Sequence, residues 1–221
     1  MNNRFFTTDD IKQDKLIYDL EPQFFWSRKA EYFWVLDKVK QGQICLDAAC
    51  GTYHPFKFAL TDKCKVYACD IEDLSYENIN KETINRFGIE LDKELYDKVK
   101  FNQCNITSLP YSDKMFSVIT CISAIEHMDE QTILEGLKEF KRILKDDGKI
   151  VITLDYPTLK PDEFIELVKQ VGLIIDGGYN YDLPDNAIFS DYFGDRLYCY
   201  SIVLKQPEQK KTKQYGKLKS K

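Results

Sequence analysis

The run Leu46-Asp47-Ala48-Ala49-Cys50-Gly51-Thr52 follows a short apolar stretch. Its small residues allow a chain leaving a buried strand to turn tightly and bring backbone N–H groups close to a ligand. A tight turn of this kind also occurs in α/β proteins that bind nothing there. About 20 residues on, Asp70 closes a second apolar stretch, Val66-Tyr67-Ala68-Cys69-Asp70. A carboxylate at that spacing can accept both hydroxyls of a ribose; otherwise it is a surface acid at a helix start. A third stretch ends at Asn105-Ile106. There an amide side chain and the following N–H could read an adenine edge, or Asn105 could make an Asx turn before Leu109-Pro110.

These residues need strands that end side by side, and the chain supplies the pattern. Ile44–Cys50, Val66–Asp70, Lys98–Ile106, Phe116–His127 and Lys149–Tyr156 read as strands, separated by polar helical stretches such as 76–88 and 129–145. The alternation implies βαβ units and a mainly parallel, doubly wound α/β sheet, with ligands at the carboxyl ends of the strands. Late in the chain, Leu173–Gly178 and the alternating Leu197–Lys205 read as two further strands that pair antiparallel at the sheet edge. Near the start, Phe24 to Val39 carries aromatic and aliphatic residues at helical spacing, and Gly42 stops that helix. The expected organisation is a helical segment over residues 1–42, an α/β domain over 43–206 and a lysine-rich flexible tail over 207–221.

At 221 residues the chain allows one large domain, and 43% hydrophobic with 30% charged residues excludes collagen-like and wholly disordered classes. No apolar run approaches the roughly 18 residues that span a bilayer. The first residues, MNNRFFTTDD, lack the apolar core of a signal peptide. The seven cysteines include no CxxC pair, which points to a reduced, cytoplasmic protein and to neither a disulfide scaffold nor a zinc ribbon. No metal-ligand cluster stands at sensible spacing. Lys205 to Lys221 holds seven lysines and one acid, leaving −11 for the rest of a chain whose net charge is −5. So acidic a body argues against nucleic acid as a partner of the globular surface.

Taken in order, LDAACGT, the acidic exit at CDI, NITSLP, MFSVITCISAIEHM and KRILKDDGKIVIT resemble the class I S-adenosylmethionine-dependent methyltransferases, over about residues 44–154. The narrower likeness is to small-molecule members of the type 11 kind. The resemblance implies a seven-stranded Rossmann-like sheet with an antiparallel last strand and S-adenosyl-L-methionine as cofactor. It places Asp47 and the backbone of Ala49 and Gly51 at the methionine part and Asp70 at the ribose. Ile71 would lie against the adenine, Asn105 and Ile106 at its edge, and Cys121, Ile122 and Ser123 along the cofactor below the methyl. Two departures stand out, because such enzymes usually carry glycine where this chain has Ala49 and Tyr53. Ala49 fits if its φ stays negative, and Tyr53 fits only if the loop takes another path. A nicotinamide cofactor is rejected, since Ala49 to His54 reads A-C-G-T-Y-H and lacks the outer glycines that a pyrophosphate needs.

Methyl transfer from a sulfonium is an in-line displacement, so the protein must align the acceptor and exclude water. His127 stands at the expected rim, as a general base or as a support for its loop. Asp155 could bind a cationic amine or a sugar hydroxyl, or cap the turn before Pro157, and Tyr156 lies beside it. Arg28 and Glu31 in the N-terminal segment, read as a lid, and Tyr53 complete the substrate candidates. With about 50 residues after the fifth strand, a small-molecule acceptor carrying a hydroxyl or amine is favoured. The alternatives are an RNA or protein acceptor engaged by the lysine tail, and a non-catalytic S-adenosylmethionine-binding subunit.

Overall fold

Residues 3–12, 14 and 25–208 are described in a computed structural model; the lysine-rich segment from 209 onward and Phe24 lie outside them. Among the described residues nine strands form one sheet: β1 (Arg4–Phe5), β2 (Ile44–Ala48), β3 (Lys65–Asp70), β4 (Val99–Gln103), β5 (Phe116–Ile122), β6 (Leu144–Tyr156), β7 (Ile174–Ile175), β8 (Phe189–Ser190) and β9 (Leu197–Lys205). The order is β1-β9-β6-β5-β2-β3-β4, with β7 and β8 also pairing with β9. Strands β2 to β6 are parallel to one another, and β9 runs antiparallel to β6 over Ile150↔Leu204 to Tyr156↔Tyr198. The doubly wound parallel core and the antiparallel last strand are as expected. The expected count of seven is exceeded by short edge pieces, of which β1 carries no pattern long enough to read from sequence. Asn3 explains how so short a strand is held: its side chain donates to Gly178 O (2.9 Å) and accepts from Val203 N–H (2.7 Å).

Strand alternation divides the core into two layers. Leu46, Ala48, Ile119, Cys121, Ile150, Ile152 and Leu154 face α5 (Glu130–Ile143) and α6 (Pro161–Gln170). Cys45, Val66, Ala68, Val118 and Val151 face the side covered by α1 (Arg28–Leu36), α2 (Phe56–Ala59) and α3 (Tyr76–Phe87); the short α4 (Lys93–Asp97) precedes β4. The caps are local: Ser75 accepts from Asn78 N–H, Asp129 from Thr132 N–H, and Gly88 ends α3 at φ 66°. Stacking helices on both faces puts the carboxyl ends of β2, β3 and β5 along one rim, and the chemistry-bearing loops leave from there. No helix among the described residues is long and apolar enough to cross a membrane.

Candidate active site

Two cavities open on that rim. The larger, of about 390 Å³, is lined by residues including Asp47, the turn from Ala49 to His54, Asp70, Ser123 and His127. The smaller, of about 180 Å³, is lined by Ala49, Asp70, Ile71, Cys104, Asn105, Ile106, Met128 and Thr132. Ala49, Asp70 and Ile71 border both, so the two form one cleft with an acid at its junction.

The turn after β2 is shaped by two left-handed residues, Ala49 (φ 52°) and Gly51 (φ 60°). The condition set for Ala49, a negative φ, is not met; its Cβ is carried in a conformation that costs about 1–2 kcal/mol. Ser123, leaving β5 across the cleft, is also left-handed at φ 40°. Two strained non-glycine residues facing one cleft mark a place where geometry is held for a purpose. Gly51 admits no other residue, since a Cβ there would lie 2.8 Å from the His54 ring.

Lys57, which sequence reasoning passed over, gives the turn its other path. Its ammonium is fully buried and donates to the carbonyls of Cys50 (3.3 Å), Gly51 (2.8 Å) and His54 (2.7 Å). A lysine set between Phe56 and Phe58 on a buried face was the available signal, because such a charge requires partners. With the carbonyls turned in toward Lys57, Tyr53 finds room on the cleft wall. There its ring lies tilted against His54 (ring centroids 4.8 Å apart) under Arg86. The His54 ring meets the Tyr32 hydroxyl at 2.9 Å. Burial, then the charges of Arg28, Lys57 and Arg86, pushes its pKa well below the usual range, so the ring is neutral.

Asp47 is 4% exposed and accepts from the Thr120 hydroxyl at 2.8 Å. Burial pushes it up to about 6, against Lys57 and Thr120, which pull it down. Asp70 accepts from Gly51 N–H (2.8 Å) and Glu72 N–H (3.1 Å), tying the turn to the end of β3. Beyond it Ile71, 68% exposed, makes an apolar wall facing Ile106 and Met128 across the smaller cavity. The donors and shapes fit S-adenosylmethionine: Asp47 would face its ammonium, Asp70 its ribose, and the Ile71–Ile106 recess its adenine. One expectation changes. The Asn105 carbonyl already takes the Thr107 N–H (3.0 Å) and hydroxyl (3.1 Å), so the Asx turn wins and this oxygen does not accept from an exocyclic amine.

The structure therefore brings together Asp47, Ala49, Gly51, Tyr53, Asp70, Ile71, Asn105, Ile106 and His127. Five expected residues lie off the cleft wall. Cys121 points into the α5 layer with no exposure, because alternation along β5 turns its neighbour Ile122 to the cavity instead. Tyr156 packs edge-on to Phe5 at 5.5 Å. Glu31 is fully buried, with its oxygens taken by Ser27, Arg28, Ser123, Thr153 and Cys199. Burial works to raise its pKa, but Arg28 and the hydroxyls prevail and hold it below the usual carboxylate range. Arg28 is spent on that contact, and Asp155 sits behind the post-β5 turn, its N–H on Glu126.

Comparison with known proteins agrees with this geometry. A methyltransferase-domain profile matches residues 46–152. Phosphoethanolamine N-methyltransferase 1 of Arabidopsis thaliana is 30% identical over 174 residues, 77% of this chain and 32% of the relative. The chain spans about a quarter to a half of the length of the curated relatives it matches. A TehB-like SAM-dependent methyltransferase from Corynebacterium glutamicum superposes with TM-score 0.59 at 14% identity, over 80% of this chain and 87% of that one. The [4+2]-cyclase SpnF superposes with TM-score 0.62 at 15% identity, over 89% and 86%. The structural likenesses speak for the fold; the profile and the cleft speak for the cofactor. Residues 46–152 are thus a methyltransferase domain of the type 11 group, on the fold of the class I S-adenosylmethionine-dependent methyltransferases, with S-adenosyl-L-methionine as cofactor.

Proposed function

We propose that this protein transfers a methyl group to a hydroxyl or amine of a small molecule. The observation that carries this reading is the continuous cleft, with Asp47 at one end, Asp70 at the junction and an apolar recess beyond it. When bound there, S-adenosylmethionine supplies a methyl carbon already activated by its sulfonium. The chain's own work is then to hold, align and exclude water. Asp47 and the left-handed turn position the methionine end, and Asp70 fixes the ribose. His127, at the rim, takes the acceptor's proton where the acceptor does not lose it unaided. Of the segment expected as a helical lid, residues 1–42, Arg4–Phe5 instead joins the sheet edge as β1; the lid role falls to α1, supported by Tyr32, which projects onto the cavity wall. A small acceptor is supported by the modest cavity of about 390 Å³ and by the acidic body.

The test is calorimetric titration with S-adenosylmethionine and, in parallel, NADH. Saturable binding of the first at about micromolar concentration, and none of the second, is expected. Binding of neither, or of NADH alone, would overturn the reading.

A further inference from the structure

One charged group beside the cleft is not used by the cofactor. Arg28 and Glu31 of α1, Glu126 in the single helical turn Ile125–His127, and Asp155 near the end of β6 lie together, three carboxylates around one guanidinium. Glu31 claims the Arg28 charge directly. Glu126 and Asp155 are left without a cation of their own. Glu126 is 6% exposed; its Oε1 accepts the Asp155 N–H at 3.2 Å, while its Oε2 has no partner. Asp155 Oδ1 has none either. A buried carboxylate oxygen without a donor is costly, and such groups mark functional sites. The same environment reads out in proton affinity. Burial, then the Asp155 charge, pushes Glu126 up to about 8; burial, then Glu31, pushes Asp155 up to about 7 against Arg28.

Position gives the pair its meaning. Glu126 stands in the chain between Ala124 and His127, both on the cavity wall, and Ser123 on that wall donates its N–H to Thr153 O (3.0 Å), two residues before Asp155. Neither carboxylate lines the cavity itself; both adjoin its wall residues, Glu126 through the chain and Asp155 through the Ser123–Thr153 contact. Two acceptors in a region of excess negative charge call for a group that brings both N–H donors and a positive charge. A hydroxyl would fill the hydrogen bonds and leave the charge unanswered. Among the described residues no three His, Cys, Asp or Glu side chains form a metal-holding group, so the geometry here is not that of a metal site.

We propose that Glu126 and Asp155 form the acceptor subsite and that the acceptor presents a protonated amine to them. This rests on the methyl-transfer reading and narrows its substrate class.

The experiment uses the full chain saturated with S-adenosylhomocysteine and titrated with n-propylammonium, with 1-propanol in parallel, followed by ligand-observed NMR and by calorimetry in two buffers of different ionisation enthalpy. Saturable propylammonium binding is expected, with proton release at pH 7 as the pair ionises, and no binding of propanol. Glu126→Gln should weaken the amine by about tenfold or more, the size of a charge-assisted hydrogen bond, and leave S-adenosylhomocysteine affinity within about twofold. Asp155→Asn, tested separately, should do the same. Both variants should melt at or above the wild-type temperature, since each replaces a buried carboxyl that must hold its proton to fold with a neutral amide. Equal binding of propanol and propylammonium, or no amine binding to protein that holds S-adenosylhomocysteine, overturns the subsite alone. Failure to bind S-adenosylhomocysteine overturns the methyl-transfer reading and the subsite with it.

Discussion

Asp47→Asn separates what a buried carboxylate costs from what it does. Asp47 is 4% exposed, and burial raises it from the ordinary 3.8 to about 6, a value that already includes the attraction of Lys57 and the hydrogen bond from Thr120. Between those two values the folded chain holds a proton that the unfolded chain has released. Stability is therefore lost as pH rises through that window. At 1.36 kcal/mol per pH unit, the full penalty is about 3 kcal/mol. Asparagine has nearly the same shape and stays neutral throughout, so it escapes the penalty. Integrating over the window, the variant should be more stable than wild type by about 0.5 kcal/mol at pH 4 and about 3 kcal/mol at pH 7.5. Urea unfolding at both pH values measures the difference, and titrations elsewhere in the molecule cancel between the two proteins. Affinity for S-adenosylhomocysteine should fall by about 1.5–3 kcal/mol, because the charged acceptor facing the cofactor's ammonium is gone. A stability difference that does not change with pH, or a variant less stable at pH 7.5, would refute the reasoning.

Other perturbations follow from the same contacts. Asp70→Ala removes both the proposed ribose acceptor and the anchor of Gly51 N–H; S-adenosylhomocysteine binding should weaken by about 2–3 kcal/mol, and unchanged affinity by calorimetry would remove Asp70 from the site. Lys57→Met leaves three carbonyls without their donor. It should cost about 3 kcal/mol in urea unfolding, and a loss below about 1 kcal/mol would mean the turn holds itself. His127→Ala should lower turnover of an identified acceptor while leaving cofactor affinity alone, and equal loss of both would make it a support for its loop. Deleting residues 207–221 should leave activity on a small molecule unchanged, whereas a large salt-dependent loss would instead favour a nucleic-acid or protein acceptor.

The parts legible in sequence were those with local causes. Asp47, Gly51 and Asp70 each stand at the end of a strand whose apolar residues announce it, and the spacing between strand ends follows from the length of a βα unit. Strand β1 was not legible, because two residues cannot carry a period; it exists through Asn3, which bonds to segments more than 170 residues away. Cys121 was misplaced for a related reason. A motif names the strand, but its register against β6 decides which side chain meets the cavity, and that choice fell on Ile122. Asn105 offered two uses of one oxygen, and the nearer donors on Thr107 took it.

The sequence by itself therefore determined the α/β class, the order of its strands and helices, the cofactor family and the rim on which the cleft opens. These depend on hydrophobic period and on residue types at strand exits, both of which are local. Only the tertiary structure decided that Lys57 gathers the carbonyls of the turn, that Glu31 is a buried partner of Arg28, and that Glu126 and Asp155 keep two oxygens without donors. Each of these depends on which charges meet once distant segments pack. Burial and pairing are properties of the assembled environment, and residue type alone does not specify them.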